Sequence, residues 1–516
     1  MNDKVPIVQL DTGVPGLNEV LGGGLPEFSF NLLAGGPGAG KTTLVQQICF
    51  ALATPERPAL YITVLGEPPL KLLRYQQQFA FFDAAKVNRS MRFVSIAHEI
   101  LEEGLGKVLE RIVAEVEATN PSLVVVDSFR SVIRASQVPE LAAELPLQAF
   151  VQRLALQLTT WQATTFLVGE YQDFEKEDNP IFTVADGILW LNQSVERNSI
   201  VRKLQVVKMR GQAPIPGLQT FRITAKGVQV FPRVPVPKEI SAQDQIKMIA
   251  EGRTAKTGAR LSTGVSELDR MLGGGIPAGS SLLVAGPSGS GKTVLSMQFI
   301  AEGVKHGEPG LLAIFEKRPS DYLQTSPLGG EVARRIQEGK LHVIYLRPLD
   351  LSLDETLHEI RDMVVAHGVK RIVIDSLSGL ELALAPAFRE DFRETLHRMS
   401  SMLTAMGVTL LLTVEMVDSY IDLRFSPHGT AFLTDGIILM RYIELEGQLQ
   451  RLMAVVKLRG SQHSKELLRY QITDEGLVLG TGLKGYEGLM TGTPRRLAIQ
   501  SRRRIDDFSE GSSDDE

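Results

Sequence analysis

Short runs of apolar, β-branched residues alternate with longer stretches of helical spacing along the chain. In the first half, LYITVL (60–65), LVVVDSF (123–129) and TTFLVGE (164–170) are nearly continuous in apolar residues and bounded by polar punctuation. That is the pattern of strands covered on both faces. Residues 105–117 and 145–160 have the length and spacing of the covering helices. Strands and helices in alternation predict α/β domains, each a mostly parallel twisted sheet flanked by helices. No apolar run approaches the roughly 20 residues that a membrane helix requires.

The pattern repeats. Residues 12–43, TGVPGLNEVLGGGLPEFSFNLLAGGPGAGKTT, recur without a gap as 263–294, TGVSELDRMLGGGIPAGSSLLVAGPSGSGKTV. Further on, VVVDSF (124–129) returns as IVIDSL (372–377), TVADGIL (183–189) as FLTDGII (432–438), and VVKMRG (206–211) as VVKLRG (455–460). Landmarks in one order at nearly constant spacing mean duplication of a whole domain. Pro232, Pro235 and Pro237 fix an extended segment between the copies. The expected organisation is a first domain over 1–238, a linker over 239–258, a second domain over 259–480 and a flexible tail over 481–516. The tail ends in RRRIDDFSEGSSDDE, a basic block followed by an acidic one.

Composition changes this picture little. The 516 residues are 43% hydrophobic and 22% charged, an ordinary globular balance, with length for two or three domains. A formal net charge of −5 argues against a surface built mainly to neutralise nucleic-acid phosphates. The single cysteine, Cys49, allows no intramolecular disulfide and no thiolate metal cluster, and reads as a buried apolar residue. The N-terminal MNDKVPIVQL has no basic stretch leading into an apolar core, so no secretory signal is expected and the chain reads as cytoplasmic.

The candidate chemistry is phosphate binding. Gly35-Gly36-Pro37-Gly38-Ala39-Gly40-Lys41-Thr42-Thr43 and Gly286-Pro287-Ser288-Gly289-Ser290-Gly291-Lys292-Thr293 both fit G-x-x-x-x-G-K-[ST]. The glycines let backbone N–H groups and the next helix's N-terminus surround anionic oxygens. Lys41 or Lys292 would reach the β- and γ-phosphates of ATP, and Thr42 or Thr293 would ligate Mg2+. An apolar strand (FNLLAG, SLLVAG) precedes each loop and a helix-like run follows. Asp127 and Asp375 each end an apolar run, where a strand delivers a carboxylate to the metal. The alternative for each is an Asp that merely caps the next turn.

Hydrolysis needs a group to orient or deprotonate the nucleophile, usually a carboxylate at the end of a neighbouring strand. Glu67 in the first copy and Glu316 in the second are the candidates; both also suit an exposed loop. Gly66-Glu67 aligns with Glu316-Lys317, so each copy keeps one carboxylate, at a different place.

The double domain, the T-G-x-x-x-L-[ND]-x-x-L-G-G-G-[IL]-P lead-in, the paired P-loops and the K-[LM]-R-G repeats resemble the KaiC family of two-domain RecA-like ATPases. The likeness covers roughly residues 10–480, with a weaker echo in YEGLMTGTPRR (486–496). It implies a homohexamer of double rings with ATP between neighbouring subunits and, as a partner, a small KaiB-like protein on the first ring. It also implies basic fingers reaching the neighbour's site, here Lys208 and Arg210, and Lys457 and Arg459. By residue type alone these are a solvated strand edge. The resemblance further implies slow hydrolysis in the first ring and serine/threonine autokinase activity in the second, with Glu316 matching the glutamate of the kinase role. The family's adjacent Ser and Thr acceptors align with Ala431 and Phe432, which carry no hydroxyl. Ser426, Thr430 and Thr434 remain nearby.

Two other readings compete. RecA-like domains also drive DNA-dependent motors and recombinases. The negative charge, the lack of an appended helix-turn-helix or zinc module, and only nine Tyr and two Trp for stacking weigh against that reading, so nucleic acid is not an expected partner. The third is a scaffold that binds ATP only to assemble.

Overall fold

The computed structural model describes residues 6–64, 69–98, 104–136, 147–171, 180–196, 199–233, 259–315, 317–345, 352–383, 392–416, 433–483, 485–489 and 494–496. The chain forms two compact units, one drawn mainly from residues 1–235 and the other mainly from 236–516.

In the first unit the P-loop strand β1 (Phe30–Gly35) runs into helix α1 (Lys41–Leu52). After it come β2 (Ala59–Thr63), β3 (Met91–Ser95), α2 (Gly104–Thr119), β4 (Leu123–Asp127), α3 (Leu147–Thr160) and β5 (Thr164–Glu170). Then follow β6 (Gly187–Glu196), β7 (Ser199–Met209), β8 (Leu218–Thr224) and β9 (Gly227–Phe231). Among the described residues they make a nine-stranded sheet in the order β9-β8-β7-β6-β1-β5-β4-β2-β3. Strands β6 through β3 in that order are parallel, and β7, β8 and β9 add an antiparallel extension.

The continuous apolar runs reflect burial of both faces. Along β4, Val124 and Val126 join one core with Val108, Ile112 and Val116 of α2 and Phe150, Leu154 and Leu158 of α3. The alternate residues Leu123 and Val125 join the opposite core with Leu44, Val45, Ile48 and Cys49 of α1. Period-two alternation thus feeds two apolar layers, leaving no polar face to show in the sequence. Cys49 lies wholly within its layer, and burial pushes its thiol up to about 12. The run read as LVVVDSF stops being a strand at Asp127, and a helix begins at Phe129. Phe129 turns into the core, 6.2 Å from the Phe150 ring.

The second unit repeats the plan with β10 (Ser281–Gly286), α4 (Lys292–Lys305), β11 (Gly310–Ile314), α5 (Pro319–Gln324), β12 (Leu341–Tyr345), β13 (Arg371–Asp375), α6 (Phe392–Ala405) and β14 (Thr409–Glu415). Strands β15 (Gly436–Leu445), β16 (Gln448–Leu458), β17 (Leu468–Thr473) and β18 (Gly476–Gly482) complete it. Its order is β12-β11-β13-β14-β10-β15-β16-β17-β18, the first sheet over again. In both units the strand that carries the Asp is separated from the P-loop strand by one intervening strand, β5 or β14. No helix among the described residues is long and apolar enough to cross a membrane.

Candidate nucleotide sites

Each P-loop leaves the carboxyl end of a central strand and closes on a helix N-terminus. The helix-capping glycines are left-handed, Gly40 at φ 98° and Gly291 at φ 96°, and neither helix has a side-chain cap. The first N–H groups of α1 and α4 therefore remain available to an anion. Sterics demand the glycine as well. A Cβ on Gly40 would lie 2.5 Å from Ile223 Cδ1, and one on Gly291 2.9 Å from Ile472 Cδ1. Gly36 has nothing within 4 Å of where its Cβ would be, which leaves room over the loop.

The lysines arch over their loops. Lys41 Nζ donates to the carbonyls of Gly35 (3.0 Å) and Gly36 (2.7 Å), and Lys292 Nζ to those of Gly286 and Pro287 (both 2.8 Å). Burial lowers the Lys41 ammonium below its usual range, opposed by the charges of Glu170 and Asp127. A phosphate here meets a partly desolvated cation, where Coulombic attraction is least screened.

Thr42 Oγ1 donates to Asp127 Oδ2 at 2.9 Å, and Thr293 Oγ1 to Asp375 Oδ2 at 2.8 Å. Each pair brings two hard oxygens together at the root of the P-loop helix, a donor set suited to Mg2+. Among the described residues no cluster of three or more His, Cys, Asp or Glu forms a self-sufficient metal cage. Mg2+ usually relies on one or two carboxylates plus substrate phosphates, and these sites have that form. The aspartates thus reach the P-loop threonine rather than only capping a turn.

A tyrosine completes each pair, a feature not apparent in the sequence. Tyr61 Oη donates to Asp127 Oδ2 at 2.6 Å, and Tyr322 Oη to Asp375 Oδ2 at 2.8 Å. Burial, reinforced by the neighbouring carboxylate, lifts both phenols well above their ordinary range. The two are not repeat equivalents. Tyr61 stands on β2, whereas Tyr322 comes from α5. Comparing the copies position by position therefore conceals them. Thr413 adds a further donor to Asp375 Oδ1 at 2.5 Å.

In the second unit these groups line a cavity of about 300 Å³ that includes Lys292, Thr293, Tyr322, Asp375, Glu415 and Lys317. Lys317 is the residue aligned with Glu67, so this site has a cation where the first copy has an acid. Glu67 and Glu316 lie outside the described residues.

The K-x-R-G elements occupy the opposite end of the sheet. The backbone N–H groups of Asp186 and Arg210 tie the end of β7 to Phe30 at the start of β1 (2.8 and 3.0 Å). Arg210 Nη1 pairs with Asp186 Oδ1 at 3.0 Å, and Lys208 Nζ donates to Thr183 O at 3.1 Å. Asp435, Arg459 and Ser281 repeat the arrangement, with Lys457 Nζ on Thr434 O at 2.6 Å. Since β1 spans Phe30–Gly35, its two ends are roughly 17 Å apart at the usual rise per residue.

Of the residues near the family's phosphoacceptors, Ala431, Phe432, Ser426 and Thr430 lie outside the described residues. Thr434 is buried, with 2% exposure.

Two tandem RecA-like domains, each with a P-loop lysine, a Thr–Asp oxygen pair and an uncapped helix N-terminus, define a tandem P-loop ATPase. Residues 10–234 and 261–483 each match the family described as "ATPase: KaiC", and the chain belongs to the KaiC family. It is 26% identical to the circadian clock oscillator protein KaiC of Picosynechococcus sp., over 98% of this chain and 96% of that protein. It is 26% identical to the protein of that name from Parathermosynechococcus lividus, over 97% and 90%. For Acaryochloris marina the identity is 25%, over 100% and 97%. The chain is a KaiC-like ATPase that uses ATP.

Proposed function

We propose that this protein is a hexameric, Mg2+-dependent ATPase whose nucleotides are completed across subunit boundaries, serving as a nucleotide-timed signalling hub. The observation that carries the proposal is the separation of finger and P-loop. Lys208 and Arg210 sit at the start of β1 and the phosphate cradle at its end. A strand length of roughly 17 Å exceeds the reach of an arginine side chain, so these groups serve a neighbour's nucleotide rather than their own. A ring of identical heterologous contacts satisfies that need in every subunit.

Within each site, the P-loop amides and Lys41 or Lys292 hold the phosphates. Thr42 with Asp127, or Thr293 with Asp375, would hold Mg2+, which supplies Lewis-acid neutralisation of phosphate charge. Tyr61 and Tyr322 fix the rotamers of those aspartates. Glu67 and Glu316 orient or deprotonate the nucleophile. The neighbour's Arg210 or Arg459 stabilises the charge spread over the γ-phosphoryl oxygens, with Lys208 or Lys457 beside it.

The domain limits proposed above, with a linker over 239–258 and a tail after 480, keep each site within its own copy. In the second unit Ser426, Thr430 and Thr434 are the alternative acceptors nearest the family's positions, and burial of Thr434 leaves it out of reach unless its segment moves. The clock role named for the relatives suggests a similar timing role here, with a KaiB-like protein as partner. Incubation with γ-labelled ATP, followed by product analysis and phosphosite mapping, tests the proposal. Free phosphate from wild-type chain, lost in Glu67→Gln plus Glu316→Gln, supports it. ATP retained intact by an assembled ring would leave only a scaffold.

A further inference from the structure

The strand lying between the P-loop strand and the Asp strand ends in a glutamate in both units. It is Glu170 at the end of β5 (TTFLVGE) and Glu415 at the end of β14 (TLLLTVE). This position carries a carboxylate in both copies, whereas the aligned pairs Gly66-Glu67 and Glu316-Lys317 differ.

Register fixes where these carboxylates stand. Gly35, at the entrance to the P-loop, is opposite Glu170, and Asp127 is opposite Val168. Residues paired in a parallel ladder share a face, as do residues two apart on a strand. Asp127, Val168 and Glu170 therefore project from one face, the one covered by α1, because Thr42 of α1 bonds Asp127. In the second unit Gly286 is opposite Glu415, and Thr413, two residues before it, bonds Asp375. The Ser378 hydroxyl accepts the Glu415 backbone N–H at 3.1 Å and anchors the strand end. Both glutamates are exposed, and Glu415 lines the cavity that holds Lys292, Thr293 and Asp375. Glu170 lies near enough for its charge to act on both Lys41 and Asp127.

Among the described residues no hydrogen bond or ion pair engages either glutamate's side chain, and each faces the cradle where the terminal phosphate would lie. We propose that Glu170 and Glu415 are catalytic residues that hold the attacking water of each site. Each accepts a hydrogen bond from the water hydrogen that the nucleophile-activating glutamate does not take. The water oxygen bonds to the γ-phosphorus as the bond to the β,γ-bridging oxygen breaks, and ADP leaves with that electron pair. The water proton passes to Glu67 or Glu316 and then to solvent, while Glu170 or Glu415 keeps the oxygen aimed in line. The assignment rests on the proposed ATPase sites and deepens them.

The test is steady-state ATP hydrolysis by the full-length Glu170→Ala/Glu415→Ala double variant, with ATP and Mg2+ titrated separately. Loss of a positioning contact to the nucleophile predicts a fall in kcat of about 10- to 100-fold. KM for ATP, the Mg2+ half-saturation and the melting temperature should match the wild type. The Gln double variant keeps an acceptor oxygen at the same reach and should recover most of the activity, which a merely structural role does not require. Unchanged kcat in the Ala variant overturns the assignment. So does a raised Mg2+ half-saturation with full kcat at high Mg2+, since the carboxylates would then belong to the metal's surroundings. Lys41→Ala/Lys292→Ala serves as the control. If the wild type hydrolyses no more ATP than this control, the ATPase sites themselves fail, and this inference with them. Wild-type turnover with an equally active Ala variant refutes the inference alone.

Discussion

Tyr61→Phe removes one oxygen from the interior of the first unit and leaves the ring in place. The phenol is fully buried and donates to Asp127 Oδ2 at 2.6 Å, an oxygen that also takes the Thr42 hydroxyl at 2.9 Å. No cavity larger than the lost hydroxyl forms and no water can easily replace it, so the change isolates a hydrogen bond to a charged group. Such bonds contribute about 1.5–3 kcal/mol. For a unit of this size, ~2 kcal/mol lowers the melting temperature by roughly 4–8 °C.

The loss should also depend on pH. Burial is the main influence on Asp127 and raises its carboxyl above the ordinary 3.8, while the Tyr61 and Thr42 donors pull it back. With the folded value above the unfolded one, this group's contribution to stability falls as pH rises from the unfolded pKa through the folded pKa. Removing the Tyr61 donor raises the folded value further and deepens that fall. Differential scanning calorimetry of the intact chain should therefore show a larger deficit at pH 8 than at pH 4.5. A melting temperature within about 1 °C of wild type at pH 8, on the same scale, or an equal deficit at both pH values, would refute the reasoning.

Further outcomes are expected. Lys41→Ala should abolish high-affinity binding of a fluorescent ATP analogue to the first unit and weaken assembly, read by size-exclusion chromatography with light scattering. An intact oligomer with normal turnover contradicts the site. Gly40→Ala forces a φ of 98° on a residue whose Cβ lies 2.5 Å from Ile223 Cδ1. It should cost at least ~1–2 kcal/mol by backbone strain alone and impair nucleotide binding, checked by thermal melts with and without ATP. Arg210→Ala chains should regain first-ring hydrolysis when mixed with Glu67→Gln chains; no recovery at any ratio speaks against action across subunits. Cys49, fully buried with its thiol raised to about 12, should resist a disulfide reagent until the chain unfolds. Rapid labelling of native protein would show that the α1 layer opens.

The sequence alone determined the duplication, the alternation of strand and helix, both P-loops and the aspartates that end β4 and β13. These are local signals. A glycine spacing, a run of apolar residues, or a carboxylate at the end of such a run is set by neighbours in the chain. Tertiary structure decided which distant groups meet at those aspartates. Tyr61 and Tyr322 come from different elements in the two copies, so neither motif nor repeat alignment points to them. Glu170 and Glu415 end strands like many others. Only the sheet order, which inserts β5 between β1 and β4 and β14 between β10 and β13, brings them to the phosphate cradle. The K-x-R-G basics were visible as a repeated motif, but their separation from their own P-loop depends on β7 running antiparallel beside β6. Strand order and direction are global properties of the packed sheet, fixed by burial on two faces rather than by any stretch of residues read in isolation.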